Sequence, residues 1–281
     1  MTAILASPTE LRRLIPRQAP QCPAEAPHPT VDESIAALPA ITLDDLDRVS
    51  VQDRHDAKYL LSEAQLVDVL ARVHDDYRVL EIDGQRTHEY RTQYFDTADL
   101  RFHSAHCRHV PRRFKVRRRQ YLDSGLTYFE VKSKRAGRTA KARIRISSFT
   151  GDLTEREKRF LRETEPGFEA NLEPVLTNWF RRVTLASPFV PERVTIDRDL
   201  SFAGRGASCA LPGLVVVEIK RGSHSSDSQF ASALRSAGVR PSAFSKYSDG
   251  LAMLTANQAG HRPSPRLRLV DQAFRGPSNV N

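Results

Sequence analysis

Polar and apolar residues alternate with period two through the middle of this chain, most densely between Arg112 and Arg145. Arg113, Lys115, Arg117, Arg119 and Tyr121 fall on one face of a predicted strand, with Phe114 and Val116 on the other. A second strand sets Tyr128, Glu130, Lys132 and Lys134 against Phe129 and Val131. A third sets Lys141, Arg143 and Arg145 against Ala142, Ile144 and Ile146. Successive strands so rich in cations allow two arrangements. Their charged faces line a shared cavity that holds a polyanion, or they form a strongly basic outer surface. Periodicity alone does not separate the two.

The same reading extends to the rest of the chain. Residues 1–40 are rich in Pro and Ala without sustained periodicity, and are expected to be a disordered leader. A single domain is expected over 41–257. It opens with a strand in which Arg54, Asp56 and Lys58 alternate with His55, Ala57 and Tyr59. Ser62 and Gln65 form a capping-box pair ahead of a helix whose apolar stripe is Leu66, Val69, Leu70 and Val73. Arg86–Asp96 reads as a strand ending in the turn residues Asp96 and Thr97. His103, His106 and His109, with Cys107 among them, read as solvated loop histidines, because zinc requires a second ligand pair that the chain does not supply. A turn at Gly137 and a helix over Thr154–Arg162 follow. Strand patterns return at Arg193–Leu200 and Leu214–Arg221. Helical spacing marks Ser226–Ala237, stopped by Gly238, and a short helix running to Leu254. The basic, Pro-containing stretch 258–281 is expected to be a disordered tail.

Composition sharpens this picture at one point. Lys and Arg number 43 against 34 Asp and Glu, and the excess is concentrated in the alternating segments, which points to a phosphate-rich partner. Three widely spaced cysteines give no disulfide framework and fit a reducing compartment. There is no apolar run long enough to cross a bilayer and no signal-peptide pattern, so a cytoplasmic location is expected. Walker, dinucleotide-binding and nucleophile-elbow motifs are absent. So are helix-turn-helix, zinc-finger and RNP patterns, which leaves no specific nucleic-acid partner. What remains is a pair of Glu-x-Lys steps, Glu130-Val131-Lys132 and Glu218-Ile219-Lys220, each with acid and base on one strand face. Cross-strand ion pairing on a wet sheet would explain either step alone. Both together, with Lys115-x-Arg117-x-Arg119, Lys141-x-Arg143 and Arg54-x-Asp56-x-Lys58, favour the cavity.

These segments resemble the VTC domain, the polyphosphate polymerase module of the vacuolar transporter chaperone complex. The resemblance is carried by Asp56-Ala-Lys58-Tyr59, Tyr94-Phe95-Asp96-Thr97, Lys115-Val-Arg117-Arg-Arg119-Gln-Tyr121 and Phe129-Glu130-Val-Lys132. It continues in Lys141-Ala-Arg143, Phe180-Arg-Arg182, Arg193-Val-Thr-Ile-Asp197, Val217-Glu218-Ile-Lys220 and Ser245-Lys246-Tyr247, in the family's order over roughly residues 50–255. The resemblance implies an α+β fold of the triphosphate tunnel metalloenzyme type: a closed antiparallel β-barrel with a charged lumen and helices outside. It implies transfer of the terminal phosphoryl of ATP to a growing polyphosphate chain, with Mn²⁺ or Mg²⁺ as cofactor. Carried over by motif, Lys58, Arg117, Arg119, Lys132, Lys141 and Arg143 hold phosphates, with Lys115 and Lys220 beside them on the same strand faces. Lys246, Arg193 and Arg182 form the catalytic set. Glu218 is the implied metal ligand and Glu130 the weaker acid candidate.

The chain departs from the pattern in three places. The wider superfamily opens with Glu-x-Glu-x-Lys, whereas this chain has Arg54-His55-Asp56-Ala57-Lys58, with a single shortened acid. That weighs against a hydrolase of inorganic or nucleoside triphosphates, the alternative enzyme. Phe180 stands where a Tyr is expected. The phosphate-sensing SPX domain and membrane segments of the eukaryotic complex have no counterpart here. A separately encoded membrane protein, holding the chain at the inner membrane face, is therefore a further partner to consider. A non-catalytic polyphosphate- or nucleotide-binding module is the non-enzyme alternative, and the oligomeric state is left open.

Overall fold

The computed structural model describes residues 29–48, 54–135, 138–166, 168, 171–222 and 228–258. In chain order the elements are α1 (Val31–Ala37), β1 (Ala40–Ile41), α2 (Leu43–Arg48), β2 (Arg54–Ser62), α3 (Glu63–Arg72), β3 (Arg78–Leu80), β4 (His88–Asp96), α4 (Arg101–Cys107) and β5 (Arg113–Tyr121). They continue with β6 (Thr127–Arg135), β7 (Arg138–Ile146), α5 (Glu155–Thr164), β8 (Glu173–Ala186), β9 (Glu192–Gly204), β10 (Ala207–Leu211), β11 (Leu214–Gly222), α6 (Gln229–Ser236) and α7 (Lys246–Gln258). Among the described residues no helix is long and apolar enough to cross a membrane.

One sheet carries the fold. Its order is β2-β11-β9-β8-β4-β5-β6-β7, antiparallel throughout, with β10 added to β9, β3 to β8, and β1 parallel to β3. Strand alternation sends the apolar side chains outward under helices. α1, α3 and α6 cover Leu61, Val183, Val194, Ile196, Val215 and Val217. α5 covers Phe129 and Val131, with Leu161 packed among them. Capping boxes start these helices as the sequence predicts: Ser62 with Gln65 for α3 and Thr154 with Glu157 for α5. Each cap is worth roughly 1 kcal/mol. The polar exception on the outward face is Arg118, fully buried, whose guanidinium grips both oxygens of Glu157 at 2.7 Å and three carbonyls of the β7–α5 connection. α7 packs differently. Its Tyr247, Leu251 and Leu254 meet Tyr94, Phe180 and Val216, which point to the charged face, so α7 plugs one end of that face.

The sheet is antiparallel and helix-covered as expected, but the expected closed barrel is not formed. β2 and β7 are the two ends of the order and do not pair. The outer edge of β2 is occupied instead: Tyr59 bridges Pro241, and the Ser242 N–H donates to the Lys58 carbonyl at 2.7 Å. The α6–α7 connection therefore takes the hydrogen-bonding groups that β7 would need. The sheet still curves strongly, since Lys58 on β2 lies near enough to Lys115 and Lys132 to perturb both.

Three further expectations change. The leader was expected through residue 40, but Thr30 and Glu33 form a capping box, and Val31 and Ile35 of α1 are buried in the core. Arg86, expected in a strand, closes the other end of α1 by donating to the Ile35, Ala36 and Leu38 carbonyls. The expected leader through residue 28 and the tail from 259 lie outside the described residues. The loop expected around His103 and His106 is helix α4. Asp96 anchors its start by accepting the Phe102 and His103 N–H groups at 2.9 Å each, and also accepts from the Tyr247 hydroxyl.

Candidate functional site

Strand register brings the predicted side chains onto one face. Lys132 faces Lys115 on one side and Lys141 on the other, and Glu130 lies between Arg117 and Arg143. Arg119 is opposite Thr92, Tyr90 opposite Phe180, and Arg182 opposite Asp197. Glu218 pairs with Thr195 and Lys58, and Lys220 with Arg193 and Asp56. A single concave surface thus runs from β7 to β2.

Its interior is organised around three carboxylates. Glu130 is buried. Its Oε2 accepts from the Arg117 guanidinium at 2.7 Å, and its Oε1 faces Lys141 Nζ at 2.9 Å. Asp197 is also buried. Arg182 forks onto its two oxygens at 2.5 and 2.8 Å, and Lys246 Nζ donates to Oδ2. Burial alone would raise both carboxyls, but the surrounding cations outweigh it and hold them well below the usual range. Glu218 differs. Burial pushes it up, Lys220 at 2.6 Å and Lys58 pull it down, and the balance falls at about 2.

The cations also outnumber what these carboxylates can neutralise. Burial, then Lys58, Lys132 and Arg117, bring Lys115 down to about 7. Its Nζ donates to Ser245 Oγ at 3.0 Å. Burial brings Lys246 to about 8 despite Asp197. Lys132, Lys141, Lys220 and Arg119 are lowered as well, burial being the largest cause for each. An aromatic floor carries part of the set. Tyr90 and Phe180 stack with centroids 5.1 Å apart, beneath Lys246 at 4.5 Å, Arg182 at 5.2 Å and Arg119 at 6.0 Å from the Phe180 ring. Phe180 therefore serves as a cation-bearing face, with no hydroxyl to offer.

Not every predicted residue converges. The Arg193 guanidinium donates to the Leu46 carbonyl of α2 at 2.6 Å, which fixes it at the α2 end of the face. Arg143 is exposed, with its guanidinium 4.8 Å from the Tyr128 ring. Sequence reasoning assigned no role to Asp197, although it shares a strand face with Arg193, or to Ser245. Only the folded register reveals that Asp197 joins Arg182 to Lys246 and that Ser245 receives Lys115.

Among the described residues there is no cluster of three or more side chains fit to ligate a metal. Both oxygens of Glu130 and of Asp197 are occupied by cations. Glu218 fits a metal best: only its Oε1 is engaged by Lys220, and the remaining coordination positions would fall to phosphate oxygens and water.

The curved antiparallel sheet gathers these cations on one face, from largely buried Arg182 and Lys246 to exposed Lys132 and Lys141, and guanidinium and ammonium groups so placed suit phosphate oxygens. The sequence model of the VTC domain matches residues 53–255, and the chain belongs to this family. Membership places it among enzymes that act on triphosphate-type substrates with divalent metals. A search of curated protein sequences finds no match. Among solved structures, a candidate adenylate cyclase from Bacillus halodurans is similar at 13% identity and a TM-score of 0.40, over 69% of this chain and 96% of that one. A candidate adenylyl cyclase from Hippeastrum, described as having a dominant triphosphatase activity, is similar at 12% identity and a TM-score of 0.42, over 76% and 98%. These likenesses are distant, and the family assignment rests on the sequence match.

Proposed function

We propose that the protein is a metal-dependent polyphosphate polymerase, moving the terminal phosphoryl of ATP onto a polyphosphate chain. One observation carries this reading. The cationic face is continuous across the sheet, and its innermost carboxylates, Glu130 and Asp197, are already held by arginines and lysines. Beyond these pairs, Lys58, Lys115, Arg119 and Lys132 leave positive charge over on the same face for a bound polyanion.

In the reaction, a terminal oxygen of the acceptor chain attacks the γ-phosphorus. The bond to the β–γ bridging oxygen breaks, and ADP leaves with that electron pair. Protein groups have little covalent work in such a transfer, and positioning with neutralisation dominates. Arg182 and Lys246, set by Asp197 over the Phe180 ring, offer a planar fork and a point charge to the transferring group. Arg117 and Arg119 hold adjacent phosphates, and Lys58, Lys115, Lys132, Lys141 and Lys220 those further along, with Arg143 at the exposed rim. Glu218 would hold a divalent ion, whose Lewis acidity would help neutralise phosphate charge. Arg193 supports the α2 end of the track. In this reading the chain works in the cytoplasm, where ATP is supplied, and a membrane partner is optional.

The test is incubation with ATP and Mn²⁺, with products resolved by phosphorus NMR and gel. Chains together with ADP are expected. Glu218→Gln should lower turnover by about a hundredfold or more while retaining tripolyphosphate binding. Free phosphate without chains would assign a triphosphatase, and tight binding without turnover a binding module.

A further inference from the structure

We infer that Arg113 of β5 and Lys134 of β6 form an outer subsite, which grips a polyphosphate chain at a distance from its reacting end. The inference rests on the polyphosphate reading above and adds two cations to it. Cross-strand register carries the argument. Arg113 lies directly opposite Lys134, Lys115 opposite Lys132, and Lys132 opposite Lys141. Like charges directly opposite each other destabilise a sheet. A carboxylate on the same strands could relieve them, but Glu130 is the only one in β5, β6 and β7, and it already holds Arg117 and Lys141. The Arg113 guanidinium donates to the Val110 carbonyl at 3.0 Å, a neutral partner that leaves its charge in place. A bound chain of phosphates supplies the missing negative charge.

The pair lies beyond the inner cations. Arg119 shares the Phe180 ring with Arg182 and Lys246, and Arg113 is six residues away from it along β5, roughly 20 Å at the rise of a strand. A triphosphate seated on that ring engages the inner group alone, and a longer chain is needed to engage both. Access rises in the same direction. Arg182 and Lys246 are 15% and 13% exposed. Ser245 takes Lys115, but Lys132 and Lys141 beside it are exposed, and Lys134 follows Lys132 on the same face of β6. Exposed Arg112 and Arg108 continue the positive charge into the α4–β5 connection. An outer grip of this kind slows the release of a long chain more than that of ATP or a short product, and so favours repeated addition to one chain.

The experiment measures binding of tripolyphosphate and of long-chain polyphosphate to the full chain by calorimetry, in the native protein, in Lys134→Gln and in the double variant Arg113→Gln/Lys134→Gln. The single variant should weaken polymer binding about threefold and the double variant about tenfold, with tripolyphosphate binding unchanged in the single variant. Lys134→Gln decides, because Arg113 also secures the Val110 carbonyl. Unchanged polymer affinity in it overturns the subsite and leaves the polymerase reading standing, and so does an equal loss of both ligands. Failure of the native protein to bind either ligand overturns both readings. Duplex DNA displacing the polymer at equal phosphate concentration would make the pair part of a nucleic-acid surface and overturn the assignment.

Discussion

Lys115 shows at the scale of one residue how the face is set for anions. It is held near neutrality by burial and by Lys58 of β2, Lys132 of β6 and Arg117 of its own strand, against which Asp249 of α7 pulls only weakly. Without an anion it is half protonated at about pH 7. A bound phosphate favours the charged form and raises that value. Between about 7 and the higher bound value, the complex therefore holds more protons than the free protein, so binding takes up a proton and affinity falls as pH rises. The limit is about tenfold per pH unit for one proton. Calorimetry of tripolyphosphate at pH 8, in buffers of different ionisation heat, should show this uptake, and Lys115→Met should reduce it. Equal uptake in both proteins would mean that another group titrates. Lysine at this position was visible in the alternation, but its state was not. That state comes first from burial, then from Lys58, which is distant in sequence and near only once the sheet curves, and from Lys132, its partner across the β5–β6 pairing.

Elements were legible where local chemistry repeats. The cationic strands β5, β6 and β7, and the capping boxes of α3 and α5, follow from spacing alone. α4 was not legible, because its first turn is held by Asp96, five residues before the helix and outside any capping-box spacing. α1 carried its own Thr30–Glu33 signal, submerged in a Pro- and Ala-rich setting. α7 was read as a shorter helix beginning after Ser245-Lys246-Tyr247 and ending at Leu254, whereas it starts at Lys246 and runs to Gln258, with Lys246 and the preceding Ser245 set on the face. Its seat depends on Gly250, where a Cβ would lie 2.6 Å from the buried Phe202 ring and 3.3 Å from Leu176. Gly250→Ala should therefore push α7 away from β9 and cost about 1–3 kcal/mol by overpacking. A urea midpoint measures it. Gly238→Ala makes the informative contrast. A Cβ there meets nothing, so its cost comes from the positive φ of 74° alone, about 1–2 kcal/mol, and should leave anion binding intact. Weakened tripolyphosphate binding is expected of Gly250→Ala only.

At the scale of the molecule, alternation gave the charged face but could not give its closure. Period two states which side chains share a face and is silent on which strands become neighbours. The seam was decided by the contact of β2 with Pro241 and Ser242, which no local pattern announces. The consequence is a protein whose cations are gathered on one curved surface, so that the empty face opposes folding through self-repulsion. An anion that fits should then stabilise the whole domain. At a hundred times its Kd, tripolyphosphate should add about 2.7 kcal/mol, read as a rise in the unfolding midpoint. Sodium chloride at the same ionic strength should do much less, because screening reaches desolvated groups poorly. Duplex DNA separates an inner site from a merely basic exterior. A rigid duplex can reach the exposed cations of β7 but not Arg117, Arg182 and Lys246 beneath them, and its hold should fall steeply as salt is raised. At physiological salt, tripolyphosphate should therefore raise the midpoint where DNA at equal phosphate concentration does not. The opposite preference would mean that the cations of β5, β6 and β7 work as an outer surface, and that Glu130 among them makes ordinary sheet ion pairs.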